Sequence, residues 1–545
     1  MKKFLALLLA LVMAFSLVAC AGGETVSNAG NDGRVKLTIG LQQYMNVTSY
    51  EENALTKWLE KECNVDLNFV QYTGLLSDIQ TKLSTTIAAK QELPDLLIGL
   101  RVDDIPRQIY GNEGYLLDMQ KYFDDRDGAS KIFWERLQEL SESDQNSLVA
   151  QMTDPDTGAI YALPTLGISF FDDMNYQPWI NVEWLKKIGK EKPTNSEELL
   201  DVLRAFANTD CNGNGKADEI PLLASVNGSL GCYVEDWILN MFTWYNKDAP
   251  YQVDDKGQLI PAYTTDDYRE GLKFLNQLYE EGLLSKLVYT SSGDELKSMA
   301  TPADGVARGG IFIGHLSLHT SDDSKVLDQY EPLKTWGYAV SRPIAATMNN
   351  MISGTCKNPD KAFEVLMKMW SKEGSLRLRY GEKGVNWDIP DEGATSVIGE
   401  PAEYKLLHDI SAEQHAASWG WARGTFVNAA EGETAQLSDD LPAGIKRRMQ
   451  MHSAQLALFR EAAKNNPKVT CPKLVFTLLE QQEIEMAQIN VDGHVTNYRT
   501  YFITGGEDIN DDATWAKYLQ ELKDHGLDTI LSKAQVAYDR QVKDK

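Results

Sequence analysis

Between positions 210 and 219 the chain reads Asp-Cys-Asn-Gly-Asn-Gly-Lys-Ala-Asp-Glu. Asp210, Asn212 and Asn214 set side-chain oxygens at every second position, and Gly215 follows where a tightly wound loop needs a residue without a Cβ. Lys216 would add a backbone carbonyl and Asp218 a further carboxylate. A hard cation such as calcium takes about six to eight oxygens from such a loop. An EF-hand would next require a glutamate where this chain has Pro221; Glu219, two residues earlier, is the substitute. An Asn-Gly turn between a helix and a strand explains the same residues without a metal. The coincidence of an oxygen ladder with the glycine favours calcium, in a structural role that ties down one loop.

The second chemical signal is at the start. Lys2 and Lys3 precede an apolar run from Phe4 to Val12, and Leu17-Val18-Ala19-Cys20 follows. A charged start, a short apolar stretch and a small-residue cut site predict a secretory signal over residues 1–19. The tetrapeptide resembles a bacterial lipobox, which implies that the Cys20 thiol is acylated and becomes the first mature residue. Residues 20–34 are small and polar, bury nothing, and read as a lipid-anchored flexible tether.

The third signal is aromatic. A cleft for a polyhydroxylated solute needs flat platforms for CH faces and a few placed polar groups. Of the twelve tryptophans, Trp58, Trp184, Trp370 and Trp515 fall at helical spacing and read as core. Trp244, Trp336, Trp387, Trp419 and Trp421 fall in loops, and Tyr44 follows the first predicted strand, on the side where open α/β sheets bind ligands. These six are the candidate ligand platforms, with packing as the competing reading for each. Arg308, Arg377 and Arg423 could meet an acidic solute but fit surface ion pairs better.

Other chemistries find little support. No Gly-x-Ser-x-Gly, His-Glu-x-x-His or phosphate-binding loop occurs, and the seven histidines are scattered. A net charge of −26, becoming −28 without Lys2 and Lys3, would repel nucleic acid. Apart from Cys20, the cysteines at 63, 211, 232, 356 and 471 form neither a disulfide framework nor a zinc site.

The elements that must carry these residues are α/β. Alternation predicts strands at 35–40, 64–70 and 94–99, with helices at 51–62 and 75–90 between them, the pattern of a parallel sheet. Ala159 to Pro164 reads as a strand stopped by proline. Asn195 caps a helix whose Leu199, Val202, Leu203 and Phe206 share a face, a further helix spans 266–281, and Trp515, Tyr518, Leu519 and Leu522 mark another, closed by Gly526.

Several stretches together carry a family likeness: Trp179 to Gly189, Pro193 to Leu199, the 210–222 loop, Cys356 to Ala362, Tyr380 to Trp387 and Gln535 to Arg540. The chain resembles family 1 extracellular solute-binding lipoproteins of bacterial ABC importers, the large Gram-positive type similar to the alginate-oligosaccharide-binding proteins. The resemblance implies a two-lobed, periplasmic-binding-protein-like fold of type II with lobes joined by hinge strands. Crossings are expected near 160–168, 300–312 and 343–355. The N-terminal lobe would then be 35–162 plus 306–348, and the C-terminal lobe 163–305 plus 349–545. It also implies a glutamate like Glu219 in the calcium loop, where Cys211 replaces the usual proline or aspartate. The implied function is capture of a carbohydrate, an oligosaccharide, in the inter-lobe cleft by a monomer on the extracellular face of the membrane, with delivery to permease subunits and no catalysis. A secreted carbohydrate-active hydrolase and a ligand-sensing lipoprotein are the alternatives.

Overall fold

The computed structural model describes residues 33–542 except 168–173, 227–232, 248, 302–303, 319–320, 322–323, 341–346, 412, 421–425 and 428–431. Cys20, most of the tether, Cys232, Trp421 and Arg423 lie outside the described residues.

The N-terminal alternation folds as its period requires. Val35–Gln42 (β1) pairs in parallel with Val65–Tyr72 (β2) on one side and Leu96–Ile98 (β3) on the other. The two connections are helices, Ala54–Cys63 (α1) and Leu76–Ala88 (α2), because parallel neighbours need a crossover that covers the sheet. Asn53 starts α1 by accepting the Leu55 N–H, and Asn64 ends it in the left-handed conformation. Leu55 and Leu59 bury the inner face. Asp104–Asn112 (α3) follows β3.

Two further strands and a short one complete this first sheet: Leu163–Gly167 (β4), Thr347–Ile352 (β11) and Phe426–Val427 (β14), in the order β14-β4-β11-β3-β1-β2. The strand anticipated at 159–164 starts four residues later and runs through Pro164 rather than stopping there. Pro164 faces Met348 of β11, while β14 reaches β4 only at Leu166 and Gly167, so the missing N–H breaks no ladder on that side.

A second sheet has the order β10-β5-β9-β6, built from Pro178–Asn181 (β5), Ile220–Leu223 (β6), Gly309–Ile313 (β9) and Tyr330–Pro332 (β10). Tyr251–Val253 (β7) and Leu259–Pro261 (β8) form a hairpin beside it. Ser196–Ala207 (α4), Val234–Leu239 (α5), Asp266–Glu280 (α6), Ala443–Ala462 (α9), Leu478–Thr504 (α10), Asp512–Asp524 (α11) and Leu527–Val542 (α12) surround this sheet. Pro359–Trp370 (α7) and Lys372–Tyr380 (α8) instead pack on the first sheet. A third, small sheet joins Trp387–Asp388 (β12), Tyr404–Leu406 (β13) and Ala435–Leu437 (β15) around its own cluster with Leu376 and Tyr380.

The two large cores are therefore separate, as a two-lobed α/β fold demands. The first draws on residues 37–166 with 348–378, Trp419 and Phe426; the second runs from Met174 through Ala339 and resumes from Leu456 to Ile530. The lobe boundaries differ from those anticipated. Strand β9 is hydrogen-bonded between β5 and β6, which places 309–332 in the second lobe, and β11 is hydrogen-bonded between β3 and β4, which places 347–380 in the first. Backbone pairing decides membership here. The chain passes between lobes after β4, before β11 and between β15 and α9, so the crossing anticipated at 300–312 is replaced by one at 438–442.

Candidate functional site

The calcium-type loop joins α4 to β6 in the second lobe. Asn195 caps α4 through the Glu198 N–H at 2.9 Å, and Leu199, Val202, Leu203 and Phe206 are buried as their spacing predicts. Gly213 and Gly215 both take φ of +73°, a conformation that turns the loop inward and that other residues adopt only with strain. The Asp210 carboxylate accepts the Gly215 N–H (3.1 Å), Asn212 Oδ1 that of Asn214 (3.0 Å), and Asn214 Oδ1 that of Lys216 (2.8 Å). Glu219 accepts the Asn212 N–H at 3.2 Å. The Asn212 and Asn214 amides both donate to Asp218, at 2.7 and 3.0 Å. These bonds to Asn212 and Asn214, with Arg308 at 2.9 Å, hold the Asp218 carboxyl below its usual range.

Among the described residues, no three His, Cys, Asp or Glu side chains are gathered as metal ligands. What the loop carries, spread along it rather than converged, is oxygen: carboxylates of Asp210, Asp218 and Glu219 and amides of Asn212 and Asn214, the last two convertible from nitrogen to oxygen by a half-turn of the amide. That donor set fits calcium and no softer ion. Cys211 faces the other way, into the second core, where burial pushes its thiol up to about 11. The four cysteines described, at 63, 211, 356 and 471, are all free thiols.

Of the six aromatic candidates, the structure separates two from the rest. Trp419 is fully buried in the first core; its indole N–H donates to Thr56 Oγ1 at 2.8 Å and its ring meets Phe69 edge-on. Trp387 is 4% exposed in the small third cluster and donates to the Gly381 carbonyl at 3.0 Å. A ring enclosed on both faces, with its polar atom satisfied inside the fold, has no surface to offer a solute, so both are corrected from platforms to core. Trp419→Phe accordingly should cost about 1–2 kcal/mol of stability through the lost hydrogen bond and volume, and leave solute affinity unchanged in calorimetry. An affinity loss without a stability loss would restore it to the site.

Tyr44 is half-exposed just beyond β1, its ring laid over Gly420, where a Cβ would meet it at 2.8 Å. Trp244 and Trp336 are half-buried in the second lobe; Trp244 meets Tyr338 edge-on at 6.2 Å and Trp336 meets Trp237 at 6.2 Å. Arg308 is paired with Asp218 and Asp304, and Arg377 with Glu373.

An inter-lobe cleft is expected from the sequence, though not its lining; among the described residues, a cavity of about 380 Å³ takes its walls from both lobes. From the first lobe come the start of α3 (Asp103 to Gln108) and Met152, Asp154 and Tyr161; from the second come Phe476, Gln481 and Glu485 at the head of α10. The lobes also touch directly beside it, the Leu478 N–H donating to Asp156 at 3.0 Å. Such a volume suits a small polar ligand.

No family model matches the chain. The fructooligosaccharide ABC transporter substrate-binding protein FusA of Streptococcus pneumoniae serotype 4 is 24% identical over 515 residues, spanning 90% of this chain and 87% of that protein. The chain is a homologue of ABC-transporter substrate-binding proteins. The fold agrees over most of the chain. An extracellular solute-binding protein from Bifidobacterium longum subsp. infantis superposes with a TM-score of 0.75 at 20% identity, over 94% of this chain and 99% of the other. An EF-hand mutant of FusA in complex with fructo-nystose gives 0.67 at 21% identity, over 94% and 100%. The two-lobed frame is thus one that the chain has in common with these solved structures. None of the described helices is long and apolar enough to cross a membrane.

Proposed function

We propose that the chain captures a carbohydrate, an oligosaccharide, between its two lobes and delivers it to the permease subunits of an ABC importer without altering it. The observation that carries this reading is the cavity drawn from two independent cores, in a chain that aligns along nearly its whole length with a protein named for binding fructooligosaccharides. A solute that contacts both lobes favours the closed arrangement by its differential affinity for it. Tyr44, Trp244, Trp336 and Trp421 are the remaining aromatic candidates to stack on sugar rings. Acylation of Cys20 would hold the protein as a monomer on the outer face of the membrane, where tethering raises its effective concentration near the permease. Thermal-shift and calorimetric titration with oligosaccharides test the reading: stabilisation with the solute recovered intact supports it, and turnover of the glycan or indifference to every oligosaccharide overturns it.

Calcium belongs to the same proposal as a structural ion, held by Asp210, Asn212, Asn214, Asp218 and Glu219 with the Lys216 carbonyl. One similar structure is an EF-hand mutant of FusA, and the oxygen-rich loop here supports the analogy. The ion would fix the link between α4 and β6. With calcium at about a hundred times its dissociation constant, linkage supplies about 2.7 kcal/mol, so chelation should lower the melting temperature by roughly 5–10 °C. In Asp210→Ala that response should vanish. An equal chelator response in both proteins would count against the loop.

A further inference from the structure

The inter-lobe cavity has a chemical bias, and the inference from it rests on the solute-binding reading above. Asp154 and Gln108 line the cavity and are each 6% exposed, yet Asp154 Oδ2 and Gln108 Oε1 have no hydrogen-bond partner. The other Asp154 oxygen is fully engaged, accepting the Asp156 and Thr157 N–H groups (2.9 and 2.8 Å) and the Thr157 hydroxyl (3.0 Å), which fixes the free oxygen in place. Both orphans are acceptors, and a buried acceptor without a donor is costly. What they lack is an O–H or N–H.

The surrounding charge narrows the donor. Asp103, Asp104 and Glu485 add three carboxylates to that of Asp154. Among the described lining residues the sole cation is Arg107, already paired with Asp104 at 2.9 Å. Lys473 and Arg101 lie near the same Asp104 carboxylate, Arg101 being paired with Asp103 at 3.2 Å, so carboxylates outnumber cations around the cavity. Phe476 and Tyr161 supply apolar ring surface in the same wall, and the Tyr161 hydroxyl donates to Asn112 at 3.0 Å.

We propose that this cavity is a subsite for an uncharged, hydroxyl-rich ring, which donates to Asp154 and Gln108 and rests its CH face against Phe476 and Tyr161, and that it rejects uronate sugars. Buried acceptors bind donors, a like-charged carboxylate is repelled, and an unmade bond there makes rejection steep.

Calorimetry with the intact mature protein tests this, using neutral oligosaccharides of three to six units (the kestose series and maltodextrins) and oligogalacturonates of equal length. At least one neutral set should bind, with galacturonates at least tenfold weaker. Asp154→Asn keeps the acceptor that anchors the turn and replaces the free acceptor with a donor, so it should weaken neutral binding tenfold or more. Gln108→Met should do the same without touching the turn. Galacturonates bound as tightly as neutral sugars, or neutral affinities unchanged in both variants, would overturn the subsite and leave solute binding standing. If the wild-type protein binds no saccharide of either kind, the solute-binding reading falls and the subsite with it.

Discussion

Arg499→Leu should remove about 3–5 kcal/mol from the stability of the second lobe, the characteristic cost of stranding a buried charge. Arg499 sits on α10, and its Nε lies 2.7 Å from Glu235 Oε2 on α5. Its Nη1 donates to the Tyr245 hydroxyl at 2.8 Å, and Tyr289 donates to the other Glu235 oxygen at 2.9 Å. Glu235 is 7% exposed, and its neighbour Asp236 is a second buried acid. Leucine fills much of the volume but leaves two carboxylates side by side, with Lys247 as the remaining nearby cation. The pair as a whole is another matter. Burying two charges offsets most of their attraction, so the double variant Arg499→Leu/Glu235→Gln should recover most of the loss. Denaturant unfolding of the three variants checks this. A single variant as stable as wild type, or a double variant no better than the single, would show that the ion pair does not join α5 to α10 in the way described.

That pair also shows why parts of the fold were legible in the sequence and others were not. Signals that act over one turn or one strand read directly. The alternation in 35–40, Asn195 at a helix start, and the apolar face of α4 all report local physics, and they sit where the period puts them. The calcium-type loop is equally local, ten consecutive residues. Partner choice is not local. Gly309–Ile313 and Thr347–Ile352 are both short buried strands, and nothing in either says which sheet it joins, so a boundary drawn from the sequence puts the first in the other lobe and cuts the second. Trp387 and Trp419 turn inward for a related reason. Trp419 is next to a glycine, which suggests exposure, yet that glycine lets Tyr44 lie close while the indole turns inward to Thr56. The cavity was the least accessible feature, since Gln108, Asp154 and Phe476 are distant in sequence and share no motif.

Asp236→Asn should make the protein more stable above neutral pH and take most of one titration out of its stability profile. Asp236 is 3% exposed on α5; Asn175 donates to its Oδ2 at 2.8 Å. Burial pushes its carboxyl up to about 7, with Lys247 and Arg499 pulling the other way and Glu235 adding to the rise. The unfolded chain ionises near the ordinary value of about 3.9. Between these limits the native state holds a proton that the unfolded state has released, so stability falls as pH rises. It is fully present below about pH 4 and lost through pH 7, by about 4 kcal/mol at most for a shift of this size. The location gives the loss a consequence. Asn175 follows the crossing after β4, and its N–H reaches the carbonyl of Val340, which precedes the crossing before β11. Charge on Asp236 therefore bears on Asn175, which bonds both Asp236 and the Val340 carbonyl. Asparagine keeps an acceptor for Asn175 without the charge. The difference in unfolding free energy between wild type and Asp236→Asn, measured from pH 4 to pH 8, should widen steadily in favour of the variant. A constant difference across that range would mean that Asp236 does not titrate there.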